Sequence, residues 1–132
     1  MTKRESLECL AKAVKRTQKP SRFAHTTGVA YTAAALAMCH GGNIEAALTA
    51  GYLHDCAKEL AYEESLRICE ENQLPVTEIE RRNPFLLHGK VGAQLAKAVY
   101  GVKDEDILNA IWYHTTGRAN MSLLEKMIFV AD

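Results

Sequence analysis

Four of the five histidines in this chain of 132 residues stand three or four positions from a glycine: His25 ahead of Gly28, His54 behind Gly51, His88 ahead of Gly92 and His114 ahead of Gly117. Positions three or four apart share one face of a helix, so each imidazole sits beside a place that has no side chain. Glycine inside a helix costs about 1 kcal/mol relative to alanine. A chain tolerates that either for close helix contact or for room around a ligand, and four such pairs together weigh against contact alone. His54 is followed directly by Asp55, and imidazole with carboxylate is a donor set for zinc, iron and manganese. Alone, the dipeptide is more often a helix-terminal histidine beside a solvated acid.

Its company sharpens the reading. His25 (FAHTTGVA), His88 (FLLHGKVGA), His114 (IWYHTTG) and Asp132 (MIFVAD) are polar groups set in apolar surroundings, and a polar group there needs a partner. If the fold brings them together, six donors are too many for one open catalytic metal and suit two. His40, beside Gly41 and Gly42, reads as a helix-end cap or a solvated side chain and receives no role. Two cations share the same faces: Lys58 lies four residues after His54, and Arg118 four after His114. A cation beside a metal cluster is repelled unless something anionic intervenes, and phosphate is the natural candidate. The competing reading pairs Lys58 with a nearby acid.

The elements that must position these groups are helices. Leu7, Leu10, Ala11 and Val14 recur at helical spacing behind Thr2 as a cap, which predicts a helix over 3–18. Residues 22–39, apolar on most faces, predict a central helix stopped at His40-Gly41-Gly42. Asn43 caps a third helix, IEAALTAGYLHDCAKEL, with His54-Asp55 near its end. A fourth covers 62–72, and Thr77 with Glu80 forms a capping-box pattern opening a short turn of helix. A fifth covers 88–100 and ends at Gly101. Asp104 opens a sixth that ends near Gly117, and Ser122 with Glu125 caps a seventh running to Asp132. No strand-like alternation and no repeat competes with this pattern. The fold class is all-α, a single-domain bundle of six to seven helices with short connections.

Composition agrees. A chain of 14.6 kDa exposes roughly 21,000 Å² unfolded and about 7,000 Å² folded, enough burial for one core. Hydrophobic residues make up 48% and charged residues 24%, which excludes disordered, collagen-like and membrane-spanning classes. Sixteen basic residues balance sixteen acidic ones, so no basic field points to nucleic acid or an anionic membrane. The cysteines, Cys9, Cys39, Cys56 and Cys69, form no C-x-x-C pair and read as small buried thiols. With no secretory signal and no apolar run of membrane-spanning length, a reducing cytoplasm is the expected compartment. A homodimer is an assembly the apolar content leaves open.

The order His25, His54-Asp55, His88, His114 and Asp132 resembles the extended metal signature of the HD-domain phosphohydrolases, in the form that houses two metals. The phrases SRFAHTTGVA, YLHDCAKEL, NPFLLHGKVGA, AIWYHTTGR and IFVAD are similar to the YqeK-like branch, described as symmetrical bis(5′-nucleosyl)-tetraphosphatases, over residues 21–132. The resemblance implies that His25, His54, Asp55 and Asp132 hold one metal and that His88 and His114 hold a second, with Asp55 as the bridge. It implies two divalent or mixed-valence transition ions, iron ahead of manganese or zinc, and a nucleoside diphosphate as product. Lys58 and Arg118 would meet the phosphates, with Arg22 and Lys90 as further candidates beside ligand histidines. Relatives usually continue past the last aspartate, whereas this sequence ends on it, where fraying and the α-carboxylate compete with Asp132 as a ligand.

The function expected is metal-assisted hydrolysis of a phosphoanhydride, with Asp55 and Lys58 in the catalytic set and diadenosine tetraphosphate cleaved to two ADP. The register of cleavage comes from the resemblance alone. A nucleotide phosphatase or phosphodiesterase of other specificity is the second reading. A non-catalytic metal-containing nucleotide sensor is a third, and a bare helical interaction module the blandest.

Overall fold

In a computed structural model that describes residues 2–132, the chain folds into eight α-helices and one 3₁₀ turn, with no strand among the described residues. They are α1 (Lys3–Thr17), α2 (Pro20–His40), α3 (Ile44–Leu53), α4 (Tyr62–Glu71), α5 (Glu78–Arg82), the 3₁₀ turn Pro84–Leu86, α6 (Leu87–Ala98), α7 (Glu105–Trp112) and α8 (Leu123–Ala131). The all-helical class and the bundle are as expected from the apolar spacing, with the short α5 as the eighth helix.

The starts of these helices follow local chemistry. Thr2, Thr77 and Ser122 each accept the amide of the residue three on, and Glu5, Glu80 and Glu125 return the bond to the cap amide. Each is a reciprocal capping box that satisfies two otherwise orphaned donors. Asn43 and Asp104 cap α3 and α7 through their side chains, and Pro20 opens α2.

Two helices stop earlier than their apolar spacing predicts, and both stops matter. The third helix was expected to run through His54-Asp55, but α3 ends at Leu53 and residues 54–59 form successive tight turns. Their amides reach back three residues instead of four: Cys56 to Leu53, Lys58 to Asp55 and Leu60 to Ala57. Likewise α7 ends at Trp112 rather than near Gly117, leaving His114 in a turn. Apolar periodicity persists through a tight turn, so spacing alone could not separate the two.

The core lies where α1, α2, α3, α6, α7 and α8 converge on Val14, Ala33, Leu53, Ile111 and Ile128. Buried Ala30, Ala33, Ala34 and Ala37 form one stripe of α2, and small side chains let its neighbours approach. The flank beside it carries exposed Tyr31 and Met38, so α2 is not surrounded, contrary to the expectation of a central helix. A smaller cluster of Ala57, Ile68, Cys69, Leu87 and Val91 joins α4 to α6. All four cysteines are free. Cys69 is buried and Cys56 partly so, but Cys9 and Cys39 are exposed, which corrects their reading as buried thiols. No helix is long and apolar enough to cross a membrane.

Candidate metal centre

The donor groups come from five places in the chain. His25 projects from the second turn of α2, His54 and Asp55 from the turns after α3, His88 from the start of α6, His114 from the turn after α7, and Asp132 from the end of α8. The six side chains converge. Donor atoms of His25, His54, Asp55 and Asp132 lie within 4.8 Å of one another, and so do those of Asp55, His88 and His114.

Asp55 belongs to both groups and divides its oxygens between them. Its Oδ2 lies 3.3 Å from His54 Nε2 and 3.9 Å from His25 Nε2. Its Oδ1 lies 3.3 Å from His114 Nε2 and 3.5 Å from His88 Nε2. Asp132 Oδ1 closes the first group at 2.9 Å from His25 Nε2 and 3.4 Å from His54 Nε2.

Backbone carbonyls orient three of the rings in the same way. His54 Nδ1 donates to the Gly51 carbonyl at 2.6 Å, His114 Nδ1 to the Ile111 carbonyl at 2.6 Å, and His88 Nδ1 to the Phe85 carbonyl. Each acceptor lies three residues back. The premature end of α3 matters here, because a continuing helix would claim the Gly51 carbonyl for the Asp55 amide. With Nδ1 carrying the hydrogen, each Nε2 presents a lone pair to the centre, which is how carbonyls set the tautomer of metal-binding histidines.

That arrangement leaves two groups short of a partner. His54 Nε2 is fully buried and without a hydrogen bond, and His88 Nε2, reached by the Thr115 hydroxyl only at 3.3 Å, faces His114 Nε2 at 3.0 Å. A buried polar atom without a partner is costly, and two facing lone pairs repel. A cation in each group would supply what is missing. The donor set of imidazole nitrogens and carboxylate oxygens suits divalent transition ions.

The electrostatics are those of a cation site. Burial pushes Asp55 toward protonation, but the rings of His114 and His54 hold its carboxyl well below the usual carboxylate range. Burial also opposes charge on His54, yet Asp132 and Asp55 outweigh it and raise that imidazole to about 9. Asp132 is held at about 2, chiefly by the neighbouring His54 ring, with His25 adding to it. Burial pushes His88 down to about 4, a shift the Phe85 carbonyl opposes and neighbouring His114 and Lys58 reinforce. Protons gather where negative charge is dense, and a bound cation competes for the same positions.

Of the basic residues singled out in the sequence, Arg22 and Lys58 adjoin the centre. Arg22 Nη1 donates to Asp55 Oδ2 at 3.1 Å, so it holds the carboxylate that the two donor groups share. Lys58 is exposed, lines a recess together with His88, and forms no ion pair among the described residues, which removes the reading that it pairs with an acid. Lys90 is a correction. Its ammonium is buried against Glu80 at 2.9 Å and the Pro75 carbonyl, beside the Trp112 ring, so its hydrogens serve the α5–α6 junction rather than a phosphate. Arg118 spends its Nε on Glu125 at 2.8 Å and lies over the Tyr113 ring. His40 is exposed at the end of α2, apart from the centre.

The glycines divide by role. A Cβ on Gly51 would meet Ala30 Cα at 2.5 Å, so this glycine serves close contact of α3 with α2. Gly92 is in ordinary to tight contact with Ile111 and Cys56, and Gly117 holds a positive φ. Of the four glycines paired with histidines in the sequence, Gly28 alone faces open space. The glycine that matters most for the second group was missed: a Cβ on Gly89 would stand 2.5 Å from the Trp112 carbonyl oxygen. Its absence lets the start of α6 reach the end of α7, which is where His88 meets His114. Its signal was its place directly after a candidate ligand, His88. Gln18 was missed as well; it donates to the Asp55 carbonyl and accepts from Thr26, with no sequence signal beyond a polar residue between helices.

Comparison with known proteins gives a consistent picture. The HD domain family matches residues 22–132. A symmetrical bis(5′-nucleosyl)-tetraphosphatase of Bacillus subtilis is 43% identical over 132 residues, which is all of this chain and 68% of that protein. One of the same description from Halalkalibacterium halodurans is 42% identical over 84% of this chain and 59% of its own length. A crystal structure from Clostridium acetobutylicum, described as a predicted HD superfamily hydrolase involved in NAD metabolism, superposes with a TM-score of 0.90 at 44% identity, over 94% of this chain and 66% of that one. The chain thus spans about three-fifths to two-thirds of these relatives.

Proposed function

This chain belongs to the HD-domain family, and on that premise we propose that it hydrolyses dinucleoside tetraphosphates symmetrically, taking diadenosine tetraphosphate to two ADP. The observation that carries the reading is Asp55, with one oxygen directed to each of two groups of imidazole donors. His25, His54, Asp55 and Asp132 would hold one divalent transition ion, and Asp55, His88 and His114 a second. Bound there, a metal pair supplies Lewis acidity toward phosphoryl oxygens and lowers the pKa of a water to the neutral range.

The chain's own residues do the rest. The three carbonyl-locked rings keep their Nε2 lone pairs on the centre without reorganisation. Arg22 fixes the Asp55 carboxylate in its bridging pose. Lys58, free of any acid, offers its ammonium to the phosphate chain and offsets charge on the departing nucleoside diphosphate. Arg118 is a second candidate for that charge, at the expense of its bond to Glu125. The reaction adds water across the anhydride joining the second and third phosphorus atoms, and the two halves leave as ADP. Iron is the ion we expect in the site, and a soluble cytoplasmic setting fits a nucleotide substrate.

The test is product analysis on metal-loaded protein. Two equivalents of ADP from diadenosine tetraphosphate support the proposal. ATP with AMP, or free nucleoside from mononucleotides, would establish another register or specificity. Absence of turnover on every nucleotide tried, by fully loaded protein, would favour the sensor.

A further inference from the structure

Asp55 is held at both its side chain and its backbone. Arg22 of α2 takes the carboxylate, while the Asp55 carbonyl accepts from the Lys58 amide at 3.0 Å and from Gln18 Nε2 at 3.4 Å. The bond from Gln18 is long, but its donor has little freedom. Gln18 lies in the corner between α1 and α2, where its backbone is extended at φ −120°, ψ 148°. Lys19 after it is extended as well, at φ −63°, ψ 151°, the conformation that a following proline favours. The other end of the Gln18 amide is also taken, since its Oε1 accepts from Thr26 Oγ1 at 2.9 Å. A carbonyl can only accept, so Nε2 must face Asp55 and Oε1 the Thr26 hydroxyl, and the amide has one orientation.

Thr26 is fully buried, and its use of Gln18 departs from the usual habit of a threonine in a helix. Such a hydroxyl commonly bonds a carbonyl of its own preceding turn, as Thr17 does with Val14 and Thr49 with Glu45. Thr26 instead sends its hydrogen out of α2. It follows His25 directly, and Arg22 stands three residues before His25. One turn of α2 therefore carries a donor of the first group together with two attachments to Asp55, one to its carboxylate through Arg22 and one to its peptide through Gln18. The HD family match begins at Arg22, so Gln18 lies outside it.

We propose that Gln18 is a positioning residue of the centre: its amide, oriented by Thr26, fixes the Asp55 peptide against the turn of α2 that carries His25, and so sets the spacing of the first donor group. The inference rests on the reading of that group as a metal site. Arg22 restrains the carboxylate, and the bond to the carbonyl restrains the backbone from which that carboxylate springs. Loss of the relay leaves all four donors present and loosens their separation.

The experiment is calorimetric titration of metal-free protein with Mn²⁺ in a His114→Gln background, which leaves the first group intact. Removing an outer partner of a metal ligand costs about 10–100-fold in affinity. Gln18→Met, which keeps the length of the side chain and loses both bonds, is expected to weaken Mn²⁺ by about tenfold. Thr26→Val keeps the buried volume and loses the hydroxyl, and should show a similar loss. Thr26→Ser loses a buried methyl but keeps the hydroxyl, and should bind as the parent does. A packing role predicts the reverse order for the two Thr26 variants, with the loss following the missing methyl. In the otherwise unaltered chain, Gln18→Met should lower kcat on diadenosine tetraphosphate by about tenfold with KM nearly unchanged, because Gln18 is not among the residues lining the recess beside Lys58. Unchanged Mn²⁺ affinity in Gln18→Met, or equal losses in Thr26→Val and Thr26→Ser, would overturn the inference. A parent that takes up no Mn²⁺ would overturn the metal reading and the inference with it. The expected order of Mn²⁺ affinities in a protein that turns over no dinucleoside tetraphosphate would sink the hydrolase reading and leave the role of Gln18 standing.

Discussion

His88 Nε2 and His114 Nε2 lie 3.0 Å apart, although each ring has given its Nδ1 hydrogen to a backbone carbonyl three residues back. Neutral rings so oriented have no hydrogen to place between them. The polypeptide therefore holds two lone pairs in a mutually repulsive pose that a cation relieves, and metal binding is expected to stabilise the fold. A free ion at 100 times its dissociation constant contributes about 2.7 kcal/mol, or roughly 10 °C in melting temperature for a chain of this size. Elemental analysis should find two ions per chain in the wild type and one in His114→Gln. Equal metal content in the two proteins would refute the second site.

Asp55 spans both groups, so its replacement should be more damaging than that of any single histidine. Loss of an outer partner of a metal ligand already costs about 10–100-fold in affinity or activity. Asp55→Asn, which keeps the shape and removes the charge, should therefore lose more than about 100-fold in turnover together with both metals. Arg22→Ala should fall inside that range, because it removes the bond that holds Asp55 Oδ2 and leaves every donor in place. A loss in Arg22→Ala as deep as in Asp55→Asn would mean that Arg22 does more than orient the carboxylate. Steady-state kinetics with metal analysis on each variant separates these outcomes.

The legible and illegible parts of this molecule differ in kind. Caps such as Thr77 with Glu80 and Ser122 with Glu125 act over three residues, so a local pattern contains all the chemistry they need. The six donors were legible by type, since a histidine or aspartate in an apolar segment must find a partner wherever the chain goes. The tight turns after Leu53 and Trp112 were not legible, because they keep the apolar spacing of a helix while changing which carbonyls are free. The fate of Lys90 was hidden for another reason. Its neighbours in sequence include His88, a candidate ligand, but its ammonium reaches Glu80 and Pro75, which only the packing of α5 against α6 brings near. Glycines were ambiguous throughout, since a missing side chain looks the same whether it admits a helix backbone, as at Gly51, or open space, as at Gly28.

Two glycine substitutions distinguish those cases. At Gly89 an added methyl would stand 2.5 Å from a backbone oxygen, that of Trp112, which cannot swing aside. Gly89→Ala should cost about 1–3 kcal/mol and should also weaken the second metal, because α6 must move away from the end of α7. At Gly28 the same methyl meets nothing within 4 Å, in the middle of α2. Gly28→Ala should stabilise the protein by up to about 1 kcal/mol through helix propensity alone. Urea denaturation at fixed metal concentration checks both, and the opposite order of stabilities would refute the packing assignment.

The buried Glu80–Lys90 pair predicts a dependence on pH that is separable from the metal centre. Burial raises the pKa of Glu80, but the Thr77 amide and the Lys90 ammonium lower it further, so its carboxyl titrates below the ordinary 4.5 in the folded protein. A carboxyl whose folded pKa is depressed contributes stability above its unfolded pKa, and that contribution is lost as pH falls through the folded value. The pair should thus stabilise fully at neutral pH and weaken once pH drops below about 4.5. Lys90→Met removes the ammonium and leaves Glu80 and the Pro75 carbonyl without it, at a cost of about 1–3 kcal/mol near pH 7. Other carboxylates with depressed pKa values, Glu125 among them, also take up protons on acidification, but they do so equally in both proteins. The measurable quantity is therefore the stability difference between wild type and Lys90→Met, followed by urea denaturation from pH 7 down to about 3. It should be constant in the neutral range and shrink below about 4.5 as Glu80 takes up its proton. A difference that stays constant to the acid limit would show that Lys90 stabilises the junction by packing against Trp112 rather than by its charge.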